Sequence, residues 1–344
     1  MEIKQRKENW LSFYDLKSEV KTMVLIDFDH SHECGARPWP YPENMRKRLD
    51  WASNIYQQEM ETISWLHDDR IPALRPYTGT ELFARAFGSK VHYPGDNMPF
   101  ALPMIRNSRE LSMVKEPDIF SSALGEAFEL ARQLIQRNGK DAVIQLPDIQ
   151  SPLDIAALIW EKADFLSSML EDPSAVKELI AMTNRTLIRF LDAWFEEFGT
   201  EYIAHFPDYY MSGGITLSED EVGEFSPDMF EEFCLETLNR LSQRYGGIGI
   251  HCCAHAKHQW EHFMKIENVR LFNLIQPPKV ILNAYKVFEG KAAQMHSWCG
   301  DGEPDPGWAD HYPSNAHVVL QCSAADKTEA IERCSVLREI AGAR

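Results

Sequence analysis

Apolar and polar positions follow two regimes along this chain. From about residue 142 onward, short apolar runs alternate with longer stretches whose apolar residues recur every three to four positions. The runs at 142–146, 202–206, 248–251, 270–275, 292–296 and 317–321 read as strands, with helices between most of them. The longest helical stripe is Val176, Leu179, Ile180, Leu187, Leu191, Trp194 and Phe198, opened by Asp172-Pro173. Ser151-Pro152-Leu153-Asp154 offers a capping serine, a proline at the first helical position and a carboxylate that can reach back as a capping box. Ser226-Pro227 repeats the device before a helix to about Tyr245, and a last helix covers 326–340.

Before residue 142 the pattern is less regular. A helix is predicted over 44–67, with Leu49, Ile55, Ile63 and Leu66 among charged residues, and a short strand over 70–75, ended by Pro76 and turned at Gly79. A helix through Leu82, Phe83 and Phe87 closes on Gly88, and another over 122–136 ends at Asn138-Gly139. The piece KVHYPGDNMPFALPMI carries too many prolines for regular structure. Residues 1–43 read as irregular, an apolar patch at 23–26 preceding DHSHECGARPWPYPE; a packed arm is the preferred reading over a lid.

Strands alternating with helices pair in parallel through right-handed crossovers. Seven or eight of them predict a closed (β/α)8 barrel with core 70–342 and N-terminal arm 1–43, one domain over 1–344.

Composition narrows the partners. A formal charge of −17 argues against nucleic acid or an anionic membrane surface, both of which need a basic face. No apolar run approaches the roughly 20 residues that span a bilayer. The segment MEIKQRKENWLSF lacks the apolar core of a signal peptide, so the expected location is cytoplasmic. The seven cysteines then read as reduced thiols or metal ligands rather than a disulfide framework.

The candidate chemistry centres on GIGIHCCAH, residues 247–255, where an apolar run ends in His251 and Cys253. Barrel active sites lie at the C-terminal ends of strands. Cys322 follows the apolar run 318–320 at another such end. Imidazole and thiolate suit zinc, and three protein ligands leave a fourth position open. A substrate thiol bound there loses its proton at neutral pH and becomes a nucleophile. Spacing alone leaves the bland alternative open: packed cysteines and a hydrogen-bonded core imidazole. Strand alternation points Cys252 away from its neighbours, and His255 is a reserve ligand. His258 and His262 stand four apart but enclose Gln-Trp-Glu, so a solvated helix face is expected there. Asp148, Asp208, Asn273, His296 and Trp298 also stand in or after strands; Asp148, Asp208 and His296 are the candidates for substrate contact or support of the metal site. The stretch 299–315 holds four acidic residues, which oppose an anion and suit a lid or substrate-contacting loop.

Several segments together resemble the uroporphyrinogen decarboxylase superfamily, which also contains corrinoid-dependent thiol methyltransferases. They are TGTELFARAFGSKVHYPGD, SPLDIAALIW with EDPSAVKELIAMTNRTLIRFLDAWFEEFG, and FSPDMFEEFCLETLNRL just before GIGIHCCAH, within a resemblance spanning about 70–342. The fold implied is a (β/α)8 barrel. The superfamily's zinc methyltransferases carry H-x-C after the sixth strand and a later cysteine after the eighth, which His251, Cys253 and Cys322 match. Ala254 stands where that family usually has glycine. The true decarboxylases carry an R-Q-A-G-R-type segment and an early aspartate; residues 1–50, with Arg37 and the basic run 46–48, do not reproduce the first, and ALRPYTGT lacks the second. The resemblance therefore implies a zinc-dependent transfer of a methyl group from a corrinoid, carried by a partner protein, to a small-molecule thiol. A cofactor-free decarboxylase using Arg70, Arg75 and Arg106, and a non-catalytic barrel, are the alternatives. The fold is compatible with a homodimer.

Overall fold

The computed structural model describes residues 1–28, 30, 34–298 and 312–342. Its parallel strands are β1 (Thr22–Phe28), β2 (Ala73–Leu74), β3 (Val143–Gln145), β4 (Glu201–Ile203), β5 (Ile215–Ser218), β6 (Ile248–Cys252), β7 (Val269–Gln276), β8 (Ala293–Gln294) and β9 (Val318–Ala324). They form two arcs, β1-β9-β8-β7-β6-β5 and β2-β3-β4, the latter edged by the antiparallel strand Tyr210–Ser212. A parallel bridge between Gln150 and Ser218 joins the arcs at one seam. The Asp69 amide, donating to the Val24 carbonyl at 2.7 Å, joins them at the other. The architecture is an α/β barrel, but among the described residues its ladder does not close continuously.

The predicted helix starts form as read. Ser151 accepts from the Asp154 amide at 3.1 Å, Asp172 from Ala175 at 3.3 Å and Ser226 from Met229 at 3.3 Å. Pro173–Phe198 buries Val176, Leu179, Ile180, Leu187, Leu191 and Trp194, each worth about 1.5–3 kcal/mol of apolar transfer as an upper range. Its Phe190 and Trp194 rings pack on Phe128 of Ala123–Asn138, with centroids 5.4 and 5.2 Å away.

The N-terminal arm is not irregular. Residues Ile3–Tyr14 form a helix, and β1 pairs in parallel with β9 along seven positions, Thr22 to Phe28 against Val318 to Ala324. The helix escapes periodicity because the residues it buries are Arg6, Trp10 and Phe13, only two of them apolar. Arg6 is fully buried, donating to Asp68 and to the Leu66 carbonyl at 2.7 Å each. Asp154 corrects a second expectation. Rather than reaching back to its own helix, it accepts from the amides of Asp220 and Glu221 at 2.6 and 3.1 Å.

Strand register decides which side chains face the barrel interior. His251 is opposite Asn273 on β7 and the two side chains meet inside, so Phe272 faces the outer helices, where it stacks on Phe263 and Phe288. Phe272 aligns with Gln294, and Gln294 with Val318. Val318, Leu320 and Cys322 therefore share the outer, helix-facing side of β9, and Gln321 turns inward.

Candidate metal centre and barrel mouth

His251 is set by its strand and by the room around it. Gly249, two residues earlier, leaves space for the Tyr209 hydroxyl, which a Cβ would meet at 2.1 Å. The His251 Nδ1 and the Asn273 Oδ1 are 2.5 Å apart, so Nδ1–H donates and Nε2 keeps its lone pair. The Asn273 amide is itself held by the Met295 carbonyl. Phe206 meets the imidazole edge to face at 5.0 Å. An imidazole oriented through one nitrogen by an amide oxygen is the usual arrangement of a metal-binding histidine.

Cys253 leaves the strand at its end, and its backbone amide donates to Asp220 Oδ1 at 2.6 Å. One ligand atom each from Asp220, His251 and Cys253 lies within 4.8 Å of the others, the only such metal-competent group among the described residues. Asp220 follows β5, and Asp154 fixes its backbone from below. Gly223, next along, packs on the turn after Cys253: a Cβ there would lie 2.9 Å from the Ala254 methyl. The alanine that departs from the family glycine thus sits against a glycine on the neighbouring loop.

Burial and the Asp220 carboxylate push the Cys253 thiol up to about 12. Alone, that thiol is a poor nucleophile at neutral pH. Beside a cation, the same three donors gain a partner for their negative charge. Sulfur, imidazole nitrogen and carboxylate oxygen form a donor set that fits a borderline-soft divalent ion.

The structure does not bring Cys322 to this group. It faces the helices, half-buried and packed against the core, because the register carried from His251 places it on the outer side of β9. His296 is likewise in the core. Its Nδ1 accepts from the Leu274 amide at 3.1 Å, its Nε2 lies 2.9 Å from Gln294 Oε1, and burial lowers its pKa to about 3. Neither ring nitrogen is left for a substrate. Cys252 is fully buried, and His255 Nδ1 pairs with Gln276 Oε1 at 3.1 Å. His258 holds the Phe225 carbonyl at 3.1 Å, and His262 lies 2.7 Å from Glu231. The stretch 299–311 and Cys299 lie outside the described residues, as does the Trp298 side chain.

Asp148 and Asp208 stand at the mouth. A cavity of about 590 Å³ opens there, lined among others by Asp27, Arg37, Trp51, Tyr77, His205 and Asp208. Asp208 has a φ of 67°, and its carboxylate accepts from Gln145 at 2.5 Å and pairs with Arg75 at 3.1 Å. Arg75 also holds Glu59 at 2.8 Å. Arg70 is bound by Asp27, which also accepts from Gln321 at 2.5 Å. Both arginines are thus neutralised by carboxylates, and Arg106 is exposed elsewhere. Burial raises the Asp148 carboxyl to about 6; its Oδ1 accepts from Gln150 at 2.7 Å and lies 3.4 Å from His205 Nε2.

The sequence reading missed Asp220, His205 and the Glu59–Arg75 pair. Asp220 had a usable signal, since Ile215-Thr216-Leu217-Ser218 alternates apolar and polar residues as a strand does and leads into Glu219-Asp220 after the Gly213-Gly214 turn. His205 lies inside the strand read over 202–206, which in the structure ends at Ile203, and nothing local marked it as more than a strand residue.

Comparison with known proteins bears on the fold and the family. No curated protein matches the chain. Among solved structures, a methyltransferase from Methanosarcina mazei superposes with a TM-score of 0.67 at 13% identity, covering 98% of each chain, which supports the barrel fold. A putative vitamin-B12 independent methionine synthase from Listeria monocytogenes reaches a TM-score of only 0.38 at 15% identity, covering 61% of this chain and 67% of its own. The model of the uroporphyrinogen decarboxylase (URO-D) family matches residues 72–275, more than half of the sequence. The chain belongs to the uroporphyrinogen decarboxylase family.

Proposed function

We propose that this protein is a metal-dependent methyltransferase, with zinc held by His251, Cys253 and Asp220 at the end of β6 and β5. The observation that carries the reading is the convergence of those three donors within 4.8 Å, with His251 oriented by Asn273. The similar structure from Methanosarcina mazei is a methyltransferase, which supports the same reading. When bound, zinc supplies a positive charge that holds a substrate thiol as its thiolate. The chain's own residues present Nε2 of His251, fix Asp220 through Asp154, and shape a cavity at the mouth whose Phe206 wall packs on His251. The methyl donor in this reading is a corrinoid on a partner protein, and the acceptor a small thiol.

The test is methyl transfer from methylcobalamin to a panel of thiols, run beside zinc quantification. The reading requires about one zinc per chain and a methylated thiol. It fails if the wild-type protein, loaded with zinc, transfers no methyl group to any thiol. The ligand set is tested separately: Cys253→Ala and Asp220→Ala lose zinc in this reading, whereas loss on Cys322→Ala with retention in Asp220→Ala would reinstate the ligand set implied by sequence resemblance. Decarboxylation of an acidic substrate has less support, because Arg70 and Arg75 at the mouth already hold carboxylates of the protein and Arg37, stacked over Tyr77, is the remaining arginine lining the cavity among the described residues.

A further inference from the structure

We infer that the groove at the N-terminal ends of the barrel strands, at the opposite end from the metal centre, binds a small oxyanion of the phosphate class between Arg270 and Lys291. The groove holds about 490 Å³. One wall is the end of the helix Ile3–Tyr14, with Tyr14 and Asp15, and the other is the start of β7 and β8, with Asn268, Arg270 and Lys291. Register brings the two cations together: Leu271 pairs with Ala293, so Arg270 and Lys291 stand at the starts of adjacent strands.

Both cations are tethered, but only by neutral groups. Arg270 Nη1 donates to the Ser212 and Gly213 carbonyls at 2.9 and 3.3 Å, and its Nη2 to the Gly246 carbonyl at 2.7 Å. Lys291 Nζ donates to the Ile266 carbonyl at 3.0 Å. Neither has an ion-pair partner among the described residues, in a chain whose formal charge is −17. Gly247 makes the seat, since a Cβ there would lie 2.5 Å from Arg270 Nε. The carbonyls use only part of the guanidinium fork and of the ammonium's donors. Those left over, with the exposed Asn268 amide, suit the several lone pairs of an oxyanion. Burial lowers the Lys291 pKa despite the nearby Glu267 carboxylate, so its ammonium is short of counter-charge. The opposing charges at the rim are themselves engaged. The Asp15 carboxylate accepts from the Lys17 amide at 3.0 Å, and at the negative end of the helix the Ser12 and Asp15 carbonyls accept from the Asp15 and Ser18 amides at 3.1 and 2.8 Å.

The full-length protein is titrated with inorganic phosphate at constant ionic strength set with chloride, with binding read by phosphorus magnetic resonance and stability by melting. Wild-type protein should bind phosphate saturably below about 10 mM and melt at a higher temperature in its presence, because a ligand of the native state alone stabilises it. Lys291→Gln should weaken binding about tenfold, and Lys291→Arg should retain it. Asp15→Asn, which removes the opposing charge, should tighten it. Arg37→Met at the mouth and Cys253→Ala at the metal centre should leave it unchanged. If Lys291→Gln fails to fold, Asp15→Asn carries the test. The inference is overturned if phosphate shows no saturable binding, if Lys291→Gln binds it as wild type does, if Asp15→Asn fails to tighten it, or if Arg37→Met or Cys253→Ala abolishes it. The metal reading stands or falls separately, because no outcome here depends on methyl transfer.

Discussion

Two sides of the barrel mouth handle charge in opposite ways. On the β5–β6 side, a carboxylate, an imidazole and a thiol face one another, with no cation of the described residues among them. On the β1–β2 side, Arg70 and Arg75 are locked to Asp27, Glu59 and Asp208. A carboxylate grouped with a thiol and an imidazole has no counter-charge in that group, and a positive ion supplies one. A cluster already neutralised has little to offer an anionic ligand and instead holds the wall in place. The difference argues for metal chemistry on the first side and scaffolding on the second.

The comparison breaks most easily at Arg75. If its role is structural, Arg75→Met leaves Glu59, a nearly buried carboxylate, without its partner and lowers unfolding stability by about 3–5 kcal/mol, measured by denaturant titration. A stable variant with altered ligand binding would instead make that side functional.

Next in size, Cys253→Ala should weaken zinc binding beyond about 100-fold, and Asn273→Leu, which frees the His251 ring, by about 10–100-fold. Competition with a chromophoric chelator measures both. Equal affinities across the set would remove the distinction between the two sides.

A smaller effect comes from protons. Burial raises Glu81 from about 4.5 to about 7, so its native carboxyl binds a proton more tightly than the unfolded chain does. That contribution is fully present below about pH 4.5 and is lost as pH rises through 7. Glu81→Gln should therefore flatten the pH dependence of stability in this window by about 2–3 kcal/mol, read from melting or denaturant curves at pH 4 to 8. On the donor side the sign reverses for the ion: Cys253 must shed its proton, so zinc affinity should rise with pH, with proton release detected by calorimetry in buffers of different ionisation enthalpy.

The smallest test concerns the loops that frame the donors. Gly223→Ala should cost about 1–3 kcal/mol through overpacking against Ala254, and Ala254→Gly should recover most of it in a double-mutant cycle. Additive effects would show that the two loops do not press on each other.

Much of the fold was legible because strands and helices after residue 142 carry clean periodicities and their starts carry Ser-Pro and Asp-Pro signals. The helix Ile3–Tyr14 was not, since its inward face includes a buried arginine whose partners come from distant residues. His251 and Cys253 were legible as a pair, being two residues apart at a strand end. Asp220 was not, because its approach depends on the β5–β6 register and on Asp154, some sixty residues earlier. Cys322 shows the converse. Its position after an apolar run was plain, but which face it occupies follows from registers across four strands, β6 to β9, which no local pattern contains.

The pairing of β1 with β9 also bears on biosynthesis. Asp27 and Gln321, whose side chains meet at the mouth, are 294 residues apart in sequence. A ribosome that has released the first strand must add those 294 residues before that strand finds its neighbour. Until then, an apolar edge from Met23 to Ile26 waits without a partner, the kind of surface on which chaperones act.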